Sequence, residues 1–333
     1  MSGRERPAPP RRRDGTSPVL LALRGLGLGD LLAAVPALRA LRRAHPGHRV
    51  LLAAPAPLAG LLPAIGAVDG LVDVAGPGPV PVDRPDVAVN LHGRGPQSTA
   101  ALLATRPGRL ITHAHPDLPA AGPPWREGVH EVRRWCDLLE WHGVPADPGD
   151  LLLRVPGPRP AGPGPVVVHP GAAHPARRWP PDRFGRVAAA LAAGGHRVLV
   201  TGGAAERAIA EQVAARAGLP AASVLAGRTG LPELVDLLRS ARLLVCGDTG
   251  VAHLATALGT PSVVLFGPVS PALWGPPPDV RHVALWKGRS GDPHGDASDP
   301  GLLRIEVQEV LDAVTDLLDR LEREDERCRK ESS

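Results

Sequence analysis

The stretch PGPRPAGPGP at residues 156–165 divides the chain into two halves that repeat one alternation of elements. Five prolines in ten positions leave no room for a packed helix or strand, so this stretch reads as an interdomain linker. Before it, Val19–Leu23, Arg49–Ala54, Val68–Val74, Val87–Leu91 and Arg109–Thr112 are short apolar runs expected to be strands. Helical spacing runs from Leu31 to Arg43, with Pro36 inside it, and from His130 to Trp141. After it, Val166–His169, His196–Thr201, Leu243–Cys246 and Ser262–Phe266 are predicted strands. Predicted helices cover Pro181–Ala193, Ala204–Ala217, Leu231–Ala241, Val251–Leu258 and about Val307–Arg323. Strands exchanging with helices imply parallel sheets covered on both faces. The expectation is α/β: two doubly wound, Rossmann-like domains over 18–155 and 166–323, with a cleft between their C-terminal strand edges. A disordered basic tail is expected over 1–17 and a fraying charged tail over 324–333.

Several function classes are disfavoured by composition. The 333 residues carry a formal net charge of +4, and Arg4, Arg6, Arg11, Arg12 and Arg13 supply much of that excess. Without that tail the chain is near neutral, and aromatics make up only 2% of it, so no nucleic-acid partner is expected. No apolar run approaches the 18 or so residues of a membrane span, and no signal peptide is visible. Cys136, Cys246 and Cys328 are scattered, which fits a reducing compartment. A cytoplasmic protein is expected. The 13 histidines include no pair at zinc-motif spacing beside a carboxylate, so no metal is expected.

The most informative single stretch is Leu243–Pro268, LLVCGDTGVAHLATALGTPSVVLFGP. It reads as strand, turn, helix, strand, with Gly259 suited to the left-handed residue that ends a helix and Pro261 blocking continuation. A turn of this kind presents unpaired backbone N–H groups at a helix N-terminus, an anion site favoured by the helix dipole. Thr249 adds a hydroxyl, while Asp248 has a purely structural alternative as the helix cap.

The run Gly25-Leu26-Gly27-Leu28-Gly29 invites a dinucleotide reading, but it is GxGxG. No acidic residue occurs between Asp30 and Asp69 to hold a ribose, which argues against a nicotinamide dehydrogenase. Asp30, at a helix start beside glycines that allow close approach, suits a general base as well as a cap. His169–Pro180, HPGAAHPARRWP, combines small residues with Arg177 and Arg178, a pattern that suits phosphate as well as a solvated loop. Glu206, after Gly202-Gly203, can accept ribose hydroxyls or simply sit well at a helix start.

Taken in order, LRGLGLGDLLAAVPALRALRRAHP, HPGAAHPARRWPPDRF, VTGGAAE and LAGRTGLPELVDLLRSARLLVCGDTGVAHLATALGTPSVVLFGPVSP resemble glycosyltransferase family 9, the heptosyltransferase-like family. The resemblance covers about residues 18–320. It implies the two-domain GT-B fold, with the N-terminal domain for the acceptor and the C-terminal domain for a nucleotide-diphosphate sugar such as ADP-heptose. It also implies inverting transfer to a hydroxyl of a glycan, lipid-linked or small-molecule acceptor, without cofactor or bound metal. By the same resemblance Asp30 is the general base, with Gly27 and Gly29 in the acceptor-side loop. Arg177, Asp248, Thr249, Gly250 and His253 surround the diphosphate and donor sugar, and Glu206 and Thr229 hold the nucleoside. Two departures stand out. Arg177 replaces a lysine, and Ala172 and Ala173 stand where some members place hydroxyls. Two alternatives stay open: a nucleotide-sugar-binding partner without transfer activity, and a nucleotide-sugar epimerase on the same fold. A lipid-linked acceptor would call for peripheral membrane contact, which the N-terminal arginines could supply.

Overall fold

The computed structural model describes residues 17–159, 162 and 164–331. All but one residue of the expected N-terminal tail, and residues 160, 161 and 163 of the expected linker, lie outside the described residues. The chain divides into two compact units, Met1–Pro156 and Gly157–Ser333.

Among the described residues, the first unit is built on a five-stranded parallel sheet in the order β3-β2-β1-β4-β5. Its strands are β1 (Val19–Leu23), β2 (Arg49–Ala54), β3 (Gly70–Asp73), β4 (Val87–Asn90) and β5 (Arg109–Ile111). Val19 pairs with Arg49 on one side of β1, and Leu20 with Val87 on the other. The consecutive residues Leu20, Leu21, Ala22 and Leu23 of β1 are all fully buried, as a strand covered on both faces must be.

The helices of this unit are α1 (Leu28–Ala33), α2 (Val35–Ala44), α3 (Leu62–Ile65), α4 (Gln97–Ala104) and α5 (Glu131–Trp141). The single helix expected over Leu31–Arg43 is thus two. Pro36 occupies the first turn of α2, where its missing N–H costs nothing, and at Ala34 between the helices the amide donates to the Leu31 carbonyl three residues back, a tightened turn.

The second unit repeats the plan with the order β10-β9-β8-β6-β7 among the described residues, again all parallel. Its strands are β6 (Val166–His169), β7 (Val198–Val200), β8 (Leu243–Gly247), β9 (Ser262–Leu265) and β10 (His282–Leu285). The helices are α6 (Pro181–Ala193), α7 (Arg207–Arg216), α8 (Leu231–Ser240), α9 (Gly250–Leu258), α10 (Pro271–Trp274), α11 (Pro300–Leu303) and α12 (Val307–Glu331). Trp179, Phe184 and Val187 pack with Leu302, Val310, Val314 and Leu317 in one core, which fixes α12 against α6. The charged tail expected from residue 324 continues α12 to Glu331 instead of fraying. Its residues are mostly good helix formers, and no Gly or Pro interrupts them.

Each strand order reverses once. The reversal falls between β1 and β4 in the first unit and between β6 and β8 in the second. Right-handed crossovers running both ways from that point place helices on both faces of each sheet. The loops leaving these strand pairs diverge, and the C-terminal edge there is where ligands bind in open α/β sheets. No described helix is long and apolar enough to cross a membrane.

Candidate active site

In the first unit the loop after β1 carries the site. Gly25 has no space for a side chain, because a Cβ there would lie 2.1 Å from the carbonyl oxygen of Gly76. That close approach is held by the Gly76 amide donating to the Gly25 carbonyl at 2.8 Å. Gly27 is the N-cap of α1, Gly29 is buried in its first turn, and Asp30 follows with a side chain 29% exposed. A Cβ on Gly27 would come 3.7 Å from Oδ2 of Asp30, so Gly27 borders the carboxylate.

Asp30 is held by Arg24, whose side chain is wholly buried. The Arg24 guanidinium donates to the Asp30 carbonyl at 2.9 Å and to Asp30 Oδ1 at 3.2 Å. It also donates to the carbonyl of Leu91, directly after β4, and so ties together the two loops that diverge at the strand-order reversal. Its remaining partner is Oε1 of Glu131, at 2.9 Å, from the first turn of α5. The Trp135 indole donates to the same Oε1 at 3.0 Å, and Arg134 donates to Glu131 Oε2 at 3.2 Å. The Trp135 ring also lies 4.8 Å from the Arg24 guanidinium carbon. Two cations and two anions therefore balance in one largely buried group. His92, in the loop after β4, is lowered in pKa by burial and by the Arg24 charge. His113, after β5, is pushed down to about 4, chiefly by burial. Sequence reasoning identified Asp30 but not Arg24, Glu131 or Trp135. The one local signal was an arginine closing an otherwise apolar strand, VLLALR.

In the second unit the loops after β6 and β8 meet. Asp248 is 4% exposed at the end of β8. Thr249, in extended geometry, is the N-cap of α9 and makes no side-chain cap bond, so helix capping does not account for Asp248. Gly250 and Val251 open the helix, and the unpaired amides of that first turn are the expected anion site. Arg177 reaches Asp248 from the loop after β6, with Nη1 3.7 Å from Oδ2, too long for a hydrogen bond. Arg177 Nε and Asp248 Oδ2 are both buried without a hydrogen-bond partner in the protein. Burial raises the Asp248 pKa, and the Arg177 charge pulls it back only in part. His253, one turn into α9, lies edge-on to Trp274 with ring centroids 5.7 Å apart.

The 171–178 loop is built from its backbone. Arg178 donates to the Ala172 carbonyl at 2.9 Å, and Ser298 donates to the Arg178 carbonyl at 2.8 Å. Ala172 is buried and Ala173 exposed. At the neighbouring strand ends, Glu206 Oε2 accepts from the Gly203 amide at 2.7 Å. Its carboxylate fills the space over Gly171, where a Cβ would lie 2.1 Å from Oε1. His169, buried at the end of β6, sits behind it. One ring nitrogen is 3.1 Å from the Thr201 hydroxyl and the other 3.9 Å from Glu206 Oε2, and burial lowers its pKa. The loop carrying Thr229 is pinned to the same place, with the Gly227 amide donating to the Gly202 carbonyl at 2.9 Å and Arg207 to the Ala226 carbonyl at 3.1 Å. The expected donor-side residues therefore fall on the C-terminal edge of one sheet. Among the described residues, no three His, Cys, Asp or Glu side chains are grouped as a metal site.

The sequence profile of glycosyltransferase family 9 (heptosyltransferase) matches residues 150–298. Lipooligosaccharide heptosyltransferase 2 of Haemophilus influenzae is 32% identical over 155 residues, which are 43% of this chain and 44% of that protein. The chain thus matches less than half the length of this curated relative. Two solved structures extend the likeness of fold. The family 9 glycosyltransferase of Veillonella parvula superposes with a TM-score of 0.76 at 20% identity, covering 91% of this chain and 98% of that one. The ADP-heptose lipopolysaccharide heptosyltransferase II of Escherichia coli does so with a TM-score of 0.71 at 20% identity, covering 91% and 99%. The fold is the expected GT-B type, and residues 150–298 of the chain are similar in sequence to glycosyltransferase family 9.

Proposed function

We propose that the protein is an inverting, metal-independent glycosyltransferase that moves a sugar from a nucleotide-diphosphate donor to an acceptor hydroxyl. A heptose carried on ADP is the first donor to consider, because the relatives are named as heptosyltransferases and one solved neighbour as acting with ADP-heptose. The observation that carries the reading is the buried, unpartnered Nε of Arg177 beside the amide-rich start of α9. A donor diphosphate would give that N–H an acceptor and lay its charge on the helix N-terminus.

The chemistry follows from this placement. Departure of the nucleoside diphosphate builds negative charge on its terminal phosphate. Arg177, the Thr249 hydroxyl and the first amides of α9 are fixed donors that stabilise this charge without reorganising, so the reading invokes no metal. Glu206, backed by Gly171 and anchored on the Gly203 amide, accepts the ribose hydroxyls, and Thr229 sits on the nucleobase side. Asp30 takes the proton of the acceptor hydroxyl as that oxygen attacks the anomeric carbon on the face opposite the leaving group, which inverts the centre. The acceptor is a glycan, a lipid-linked sugar or a small molecule. A lipid-linked one would bring the enzyme to a membrane surface from the cytoplasmic side.

Thermal shift with ADP-, GDP-, UDP- and dTDP-sugars tests the donor. A ligand at 100 times its Kd stabilises by about 2.7 kcal/mol. At roughly 2–4 °C per kcal/mol for units of this size, the midpoint should rise by several degrees. A rise with ADP-heptose, followed by sugar transfer to a heptose-free lipopolysaccharide acceptor, supports the reading. A rise without product favours a binding partner, an isomerised donor favours an epimerase, and no rise with any nucleotide contradicts the donor site.

A further inference from the structure

We infer that Glu131 is a positioning residue for Asp30, acting through Arg24, and that Arg24, Glu131, Arg134 and Trp135 form the device that keeps the Asp30 carboxylate oriented and charge-balanced. Its use in catalysis rests on the reading of Asp30 as the general base.

Arg24 spends its guanidinium on four acceptors: the carbonyl and Oδ1 of Asp30, the carbonyl of Leu91 and Oε1 of Glu131. A planar fork with several partners has one orientation, so whatever fixes Arg24 fixes Asp30. Glu131 is itself locked on both oxygens, by the Trp135 indole on Oε1 and Arg134 on Oε2. It also occupies the first turn of α5, where the helix dipole favours a carboxylate. Asp30 and Glu131 lie 101 residues apart in sequence. Their link through a fully buried arginine is a tertiary arrangement, with no local role in capping α1.

The charges explain why the arrangement suits a base. Arg24 alone would clamp Asp30 and weaken it as a proton acceptor. Glu131 draws on the same guanidinium, so less of its field falls on Asp30. Arg134 moderates Glu131 in turn. Among the described residues, His92 from the loop after β4 and His113 from beyond β5 also face the group, with Arg126 beside Arg134, and burial favours the neutral form of both histidines.

The test follows the Asp30 carboxylate by ¹³C NMR against pH, with its resonance assigned by its loss in Asp30→Asn. In Glu131→Gln the full Arg24 charge falls on Asp30. The titration midpoint should drop by on the order of one unit, and transfer should slow about tenfold. In Glu131→Asp the charge is kept but withdrawn by one methylene, and a drop of a few tenths of a unit is expected, so this variant decides if Glu131→Gln does not fold. Unchanged midpoints in the folded variants would overturn the link, whatever transfer assays show. A shifted midpoint in a protein whose Asp30→Asn form transfers sugar at full rate would overturn its use in catalysis and the base assignment with it.

Discussion

The two units place their candidate residues at the same topological position and finish them in opposite ways. In the first, Asp30 belongs to a group whose charges are paired at hydrogen-bond distance, with Arg24 wholly buried at its centre. In the second, Arg177 and Asp248 stand 3.7 Å apart, and each keeps a buried atom without a partner. An unsatisfied buried polar group costs about 1–3 kcal/mol. The second unit therefore carries a penalty that an anionic ligand at Arg177 can relieve, whereas the ion pairs around Asp30 in the first are made at hydrogen-bond distance before any ligand arrives. A proton acceptor benefits from fixed geometry before the acceptor binds. A donor site gains affinity when binding satisfies groups the fold left open.

Stability should separate the two sites most widely. Glu131→Gln leaves two buried guanidinium groups short of a carboxylate. It should cost about 3–5 kcal/mol, read as a fall in denaturant midpoint or Tm. Asp248→Asn should cost nothing within about 1 kcal/mol in the ligand-free protein. Burial raises the Asp248 pKa above its unfolded value, so its contribution to stability is fully present below about pH 4 and is lost as pH rises through the folded value. The amide variant should lack that slope. Equal losses in the two variants would erase the contrast.

A smaller effect sharpens the donor side. Gly171→Ala places a methyl group where the Glu206 carboxylate now lies, 2.1 Å from Oε1. Displacing Glu206 from its seat should weaken ADP binding about tenfold, worth ~1.4 kcal/mol, by calorimetry. If Glu206 contacts the ribose, 2′,3′-dideoxy-ADP should bind the variant and the parent alike. An equal loss for both nucleotides would place Glu206 away from the ribose.

Much of the frame was legible in the sequence because it is local. Val166–His169 and Pro181–Ala193 have the bounds that apolar runs and helix signals indicated. Asp30 falls in the first turn of a helix as expected, although the break at Ala34 divides that helix in two. The strand β10, HVAL, was missed because its residues are only half-buried or exposed at a sheet edge, where the sequence shows no unbroken apolar run. The helix α4, QSTAALLA, was missed because its apolar and polar residues make no clear stripe. The sequence brought Arg177 and Asp248 to neighbouring strand ends because each closes a short strand–loop unit. It could not bring Glu131 to Arg24, because α5 delivers that carboxylate from 107 positions away and no spacing records the contact. Pairing of distant charges is decided by packing, which a single sequence does not display.

The central claim is that the second unit holds a nucleotide-sugar donor while Asp30, in the first, performs the proton transfer. The most direct test measures ADP-heptose binding and sugar transfer side by side in the parent protein and in Asp30→Asn. The account predicts an unchanged Kd for ADP-heptose and a kcat lower by about 10²–10⁴, the usual loss on removing a general base. Full turnover in the variant, or a donor affinity that falls together with turnover, would contradict it.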